Sequence, residues 1–388
     1  KEKIMDSNLL SLLKIPSVSE GIHYWIIRTN GGDYYEDFTL HEYISISWDY
    51  VSLSILYTKD DDEIKRLIEV YEKMSTTPED SDDESDGTTK GKITAILNKI
   101  NRFVFDIDKG DIILIPSKNS DRIAIAEVVG DVYETENYVE YYIQANPTTE
   151  IIPCPYRKRR KIKILKTIAK GQMDIYLARG FNSQHALSCM DEYAPYINRT
   201  IYGIYSKGDE LHTTLHAGHP NGLTLKELVE FSTQLEKTAF SIAQQCEIPF
   251  DPSQVEVKLN IHSPGLIELI GSLSGAGIVL SLLIFALNNL INGGKLSISY
   301  KKDDQTGKAD FSVTSESSGI SGNAQKNKRI ELKEKEELLE LVNKLDVKTP
   351  EIVAAILNGD KITPNMLVAP QPVEQLPESS TTKSEDNV

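Results

Sequence analysis

The sequence predicts an α+β fold. A β-rich N-terminal domain with helical insertions is followed by an α/β domain with a long apolar, Gly-rich helix and a charged C-terminal helix. Three observations predict it. Residues 104–136, VFDIDKGDIILIPSKNSDRIAIAEVVGDVYETE, read as an apolar run, a Gly-Asp turn, a strand, a polar turn and a second strand closing on another Gly-Asp. The segments DDDEIKRLIEVYEKM (60–74) and KITAILNKINRF (92–103) place apolar residues three and four apart, the spacing of amphipathic helices. Residues 269–287, LIGSLSGAGIVLSLLIFAL, carry no charge at all.

At 388 residues the chain exceeds what one core usually supports, so two domains are expected. The first spans 20–170, interrupted by the acidic insertion 75–92, which has too few apolar residues to bury. The second spans 171–300 and holds the apolar helix, 266–291. A polar linker (301–330), a helical segment (331–366) and a disordered tail (367–388) complete the expectation.

Within the first domain, HYWIIRTNGG is a strand running into a Gly-Gly turn, and YISISWDYVSL is a short alternating strand. YVEYYIQA (138–145) and KIKILK (161–166) also read as strands. In the second domain, NSQHALSCMDEYAPYINRTIYGI starts helical, and TLKELVEFSTQLEKTAFSIAQQC is a long amphipathic helix opened by Thr224 and Glu227 in capping-box spacing. QVEVKLNI and KLSISYK are strands, and ELKEKEELLELVNKL (331–345) is a charged helix.

A net charge of −16 argues against a protein that coats nucleic acid over its whole surface, but leaves room for a local basic patch. Cys154, Cys189 and Cys246 are odd in number and lack paired spacing, which fits free thiols in a reducing compartment. The opening KEKIMDSNLLSLLKIP has no signal-peptide pattern, so a cytoplasmic location is expected.

Four stretches in 20–170 follow one another in a familiar order: YWIIRTNGGDYYEDF, ISISWDYVSL, KGDIILIPSKNSDRIAIAEVVGDVY and YRKRRKIKIL. They give a Trp-x-x-Arg strand, a Trp after an alternating strand, Gly-Asp before an apolar strand, a closing Gly-Asp with an aromatic, and a basic strand. This order resembles the modified-base-reading modules of the EVE/PUA-like superfamily, as attached to Mrr-like and McrB-like restriction proteins. The basic RKRRKIKIL departs from the family, which carries histidine and tryptophan there. The resemblance implies a PUA/EVE-like small β-barrel whose pocket holds an extruded, modified base, stacked on an aromatic face and read along its edge. On that basis Trp25, Trp48 and Tyr133 are candidate stacking faces, and Arg28, Asp49 and Asp131 candidate polar partners. The competing reading makes the aromatics core and the Gly-Asp pairs turns.

YRKRRKIKILKTIAK places eight cations between Arg157 and Lys170. With Ile162 and Ile164 pointing inward on a strand, Arg157, Arg159, Lys161 and Lys163 point outward together and form a candidate phosphate-binding row. The alternative is a strand edge on which lysines block unwanted pairing. His212, His216 and His219 in HTTLHAGH sit on a strand entering a turn, which splays them, so no metal is expected. Glu256-x-Lys258, with Asp251 before it, is half of a metal-dependent nuclease motif. No P-loop or nucleophile elbow accompanies it, and no cofactor or catalytic residue is assigned.

The uncharged run 269–287 is long enough to span a bilayer as one helix, and Gly271, Gly275 and Gly277 offer a close helix-packing face. A helix buried between subunits of a homo-oligomer is favoured over one that enters membrane. The functional expectation is a non-enzymatic recognition protein for nucleic acid or a modified nucleobase, self-associating through its second domain. The company such readers keep points to bacterial anti-phage defence. A membrane-disrupting effector and a diverged nuclease are the alternatives.

Overall fold

The structure, a computed structural model, describes residues 14–75, 90–182, 185–217, 223–260, 265–273, 275–293, 295–302, 309–316 and 335–358. Most of the expected acidic insertion, His219, much of the expected linker and the C-terminal tail lie outside them. The described residues fall into two compact units, 14–212 and 213–358.

The first unit is built on a six-stranded mixed sheet. Its order is β3 (Tyr43–Ile46), β6 (Lys158–Ala169), β5 (Arg122–Glu134), β4 (Ile112–Pro116), β2 (Tyr24–Ile27) and β7 (Leu187–Cys189). The β2–β4 pair is parallel and the others are antiparallel. The anticipated closed barrel is thus an open sheet, with no ladder joining β3 to β7 among the described residues. Both faces are covered, so the sheet need not close to bury its apolar side chains.

Alternation along the strands divides the core into two layers. Trp25, Ile27, Ile113, Ile115, Ala124 and Ala126 lie with helices α3 (Asp61–Ser75) and α4 (Lys90–Asn101) on one face. Tyr24, Ile26, Ile112, Leu114 and Ile125 lie with α6 (Ile175–Gly180) and α7 (Ala194–Tyr202) on the other. Apart from these, β1 (Ser17–Val18) pairs in parallel with β8 (Ile204–Lys207). The segment read as starting helical begins instead with β7, because its Leu187 is needed in the core; its helix starts only at Ala194.

Residues 138–145 form helix α5 rather than a strand. Asn137 starts it in the left-handed conformation, and Tyr138 and Tyr142, one turn apart, stack at 5.7 Å. The helix places Tyr138 over Tyr43 and beside the buried carboxylate of Asp37. That carboxylate, on helix α1 (Tyr35–Leu40), accepts hydrogen bonds from the Tyr43 hydroxyl, from the Tyr138 hydroxyl at 2.7 Å and from the Cys154 amide at 2.7 Å.

In the second unit, helix α8 (Leu225–Cys246) has the predicted capping box. The Glu227 amide donates to Thr224 Oγ1 at 3.2 Å, and the Thr224 amide to Glu227 Oε2 at 2.9 Å. Strand β9 (Glu210–Ala217) pairs with β14 (Val347–Lys348) through Ala217 and His216. Strands β10 (Glu256–Asn260) and β11 (Gly265–Ser272) form an antiparallel pair. A second antiparallel pair, β12 (Lys295–Lys302) and β13 (Ala309–Glu316), occupies part of the expected linker, where DFSV alternates polar and apolar residues. Helices α10 (Lys335–Lys344) and α11 (Glu351–Asn358) end the described chain.

The apolar run 269–287 is not one helix. Its first residues finish β11, the chain turns after Ser272, and helix α9 runs from Ala276 to Ile291. Among the described residues no helix is long and apolar enough to cross a membrane. The membrane-helix readings are overturned with it. The three glycines therefore form no common helix face: Gly271 is on the strand, Gly275 is the N-cap and Gly277 is inside α9. Gly271 and Gly275 serve close packing within the unit. A Cβ on Gly271 would stand 3.0 Å from Ala276 Cβ, and one on Gly275 2.7 Å from the Pro249 carbonyl. Helix α9 is buried on nearly all sides, and Asn288 near its end accepts from Thr349 Oγ1 at 2.9 Å.

Candidate functional site

Three consecutive cations open β6, and all three are buried. Alternation sends Lys158 and Arg160 to the face with α4 and Arg159 to the face with α5. Each then satisfies backbone carbonyls that have left regular structure, the strongest role for a cation where water is excluded.

Lys158 has no exposed surface, and burial lowers its pKa. Its Nζ donates to the carbonyls of Trp48 at 2.9 Å and Val51 at 3.0 Å, and stands 3.4 Å from Asp49 Oδ1. This pins the loop between β3 and α2 (Leu53–Thr58), whose start is capped by Ser52. Arg160 donates from Nε to the Phe103 carbonyl and from Nη2 to the Val104 carbonyl, both at 2.8 Å. It thereby caps the π-helical turn Arg102–Asp106 that ends α4, where orphan carbonyls and the helix dipole favour a cation.

Arg159 corrects the phosphate-row expectation most directly. Its guanidinium lies between the rings of Tyr43, 4.1 Å away, and Tyr138, 3.7 Å away, and donates to the Cys154 carbonyl at 2.8 Å. Helix α5 covers it, so it faces no solvent. Arg157 is half-buried and pairs with Glu136 at 2.5 Å. Lys161 and Lys163 are exposed, as expected of a row that could meet phosphate.

Trp48 stands on the pinned loop. It is half-buried, packs against the core beneath it, and has φ of 63°, a left-handed conformation strained for a bulky side chain. The Lys99 ammonium lies 5.7 Å from its ring centroid. Asp49, beside it, accepts the Arg157 amide at 3.0 Å. Tyr34 and Tyr156 meet edge-to-face at 5.4 Å nearby in the same unit; burial pushes the Tyr156 hydroxyl up to about 12, with Asp49 among the charges adding to the effect.

The loop continues into α2, whose Tyr57 borders a groove of about 570 Å³. Val104, Asp108, Lys109, Asp131, Val132 and Arg160 line the rest. The groove follows from a bulge: β5 shifts register against β6 between Val128 and Val132, which turns Asp131 outward. Asp131 is exposed and pairs with Lys109 at 2.7 Å, which holds its carboxyl below the usual range. Exposed Phe105 meets Tyr57 edge-on at 5.7 Å.

The remaining expected site residues lie elsewhere. Trp25 is core, 5% exposed, and its Nε1 donates to the buried Asp111 at 2.9 Å, so it offers no stacking face. Arg28 is half-buried and donates to the Phe181 carbonyl at 2.5 Å, away from Trp48 in the hydrogen-bond network. Tyr133 is half-buried on β5 opposite Arg159, and burial raises its pKa. Lys158, Lys99, Tyr57 and Phe105 belong to no motif that the sequence shows.

The histidine and nuclease-like motifs are dispersed. His212 stacks on Tyr205 at 4.7 Å, whereas Asp251 caps a turn through the Ser253 amide at 2.9 Å. Glu256 and Lys258 pair with each other at 3.6 Å on an exposed strand. Among the described residues no three His, Cys, Asp or Glu side chains gather as metal ligands, and the three cysteines form no disulfide.

No family model matches the chain, and no curated protein does. Among solved structures, the chain is similar to the YTH domain of the Zygosaccharomyces rouxii MRB1 protein, crystallised in complex with N6-methyladenosine RNA. The match has 12% identity and a TM-score of 0.24, and covers 48% of this chain and 92% of that one.

Proposed function

We propose that the first unit recognises nucleic acid by stacking an unpaired base, plain or modified, on Trp48. The observation that carries this is the combination at Trp48: a half-exposed indole on a strained loop fixed from beneath by a buried lysine. A loop under strain persists only where its surroundings over-determine it, and such sites cluster at ligand contacts. An indole held in one orientation stacks a base with little further ordering cost. Lys99 lies against the ring and Asp49 follows it in the chain as polar partners, and the groove bordered by Tyr57, on the helix that follows the loop, has the volume of a small-molecule site. Lys161 and Lys163 supply sequence-independent contacts to phosphate. The anti-phage setting belongs to this proposal and rests on the EVE/PUA-like motif order, and the cytoplasmic setting rests on three cysteines without paired spacing.

The test is fluorescence anisotropy with labelled single-stranded and duplex RNA and DNA, each with and without N6-methyladenine, at several salt concentrations. Binding that Trp48→Ala weakens without changing the salt slope supports the reading. Equal affinities for wild type and Trp48→Ala on every probe would defeat it.

A further inference from the structure

We propose that the second unit self-associates edge to edge through β10, forming a two-fold dimer of this chain. This lies beyond base recognition and uses a different surface from the glycines that the sequence suggested.

Among the described residues β10 pairs on one side only, with β11, and it ends its sheet. It is exposed on both faces: Val257 is 52% and Leu259 44% exposed, and the Glu256 and Lys258 side chains are 61% and 47% exposed. An edge strand with apolar side chains in water is a template for another strand, which proteins normally blunt. Here the blunting is selective. Glu256 and Lys258 share one face, and Val257 and Leu259 share the other with Leu269 and Ile267 of β11.

The sequence VEVKL is self-complementary when a second copy runs antiparallel about Val257. Val257 then faces its own copy, Val255 faces Leu259, and Glu256 faces Lys258 twice. Opposite charges directly across strands are favourable, and apolar pairs fill the other face. Shifting the centre by one residue puts Glu256 against Glu256 or Lys258 against Lys258; a half-residue shift sets a valine against a charge. One register therefore satisfies all the pairs, and it is isologous, so the assembly closes at two. Five paired residues are a small contact, so the dimer should be concentration-dependent.

The experiment is sedimentation or light-scattering mass of the full chain across a concentration series, with charge-swap variants on this exposed strand. The wild type should pass from monomer to dimer as concentration rises. Glu256→Lys and Lys258→Glu should each stay monomeric, with unchanged circular dichroism. The double variant E256K/K258E should dimerise, and an equimolar mixture of the two single variants should form the heterodimer. A wild type monomeric throughout, single variants that dimerise like wild type, or a mixture that stays monomeric would each overturn the proposal. None of these outcomes depends on Trp48, so it stands or falls apart from the base-binding reading.

Discussion

The Lys158 ammonium, without exposed surface, donates to the Trp48 carbonyl at 2.9 Å, and the indole above that carbonyl is the half-exposed aromatic of the loop. A buried cation thus sets the conformation of a surface ring. The start of the basic stretch, Lys158 to Arg160, is internal framing, whereas Lys161 and Lys163 reach the surface directly.

Lys158→Met should separate framing from binding. The substitution removes a costly buried charge but leaves the Trp48 and Val51 carbonyls without their donor. Unpaired buried carbonyls outweigh the relief, so a net loss of about 1–3 kcal/mol is expected. Urea unfolding measures it, and the Trp48 emission should shift toward that of a solvated indole in the still-folded protein. A variant as stable as wild type with unchanged emission would show that the loop holds itself.

Arg159 and its neighbours on β6 should behave oppositely. Arg159→Ala opens the contact between the Tyr43 and Tyr138 rings and strips the Cys154 carbonyl, so a stability loss of roughly 3 kcal/mol is expected. Lys161→Ala and Lys163→Ala should leave stability near wild type and lower the salt slope of nucleic-acid binding by about one unit each at most. Thermal unfolding and binding at several salt concentrations distinguish the two classes. A stable Arg159→Ala with a flattened slope would restore the phosphate row as the sequence suggested it.

Part of the fold was legible because period and turn chemistry agreed. The helix after Thr224 combines a clear periodicity with a capping residue, and the short apolar runs around Trp25 and Ile113 are bounded by Gly31-Gly32 and by Gly110-Asp111. Two errors arise where the hydropathy pattern does not select one period. In β11 and α9 nearly every side chain is buried, so neither alternation nor a helical stripe survives in the hydropathy, and 269–287 read as one helix. In YVEYYIQA the tyrosines satisfy both periods, and only the contact with Asp37 and Arg159 decides for helix. That second error is also why Arg159 read as exposed: the element that covers it was taken for a strand. Motif order singles out Trp48 and Asp49, whereas the supporting Lys158 reads as one charge in a run.

The capping box of α8 predicts an acid-sensitive helix start. The Thr224 amide, the Thr224 hydroxyl and the Lys344 ammonium hold the Glu227 carboxyl down at about 2, from an ordinary value of 4.5. A carboxylate with a lowered folded pKa contributes stability that is present above about 4.5 and is lost as pH falls from there through about 2. Glu227→Gln should therefore melt below wild type at neutral pH, with the gap narrowing as pH is lowered across that window. A gap independent of pH would mean that the carboxylate charge does not act at the cap.

The central claim, that Trp48 is the stacking face, is tested most directly by tryptophan fluorescence. The chain has two tryptophans, and Trp25 is enclosed in the core and bonded to Asp111. Titrating single-stranded oligonucleotide into wild type and into Trp48→Phe separates the two emissions. Saturable quenching in wild type that disappears in Trp48→Phe, with Trp25 emission constant, is the predicted result. Binding that leaves the wild-type emission unchanged would contradict it, because a base cannot stack on an indole without altering its fluorescence.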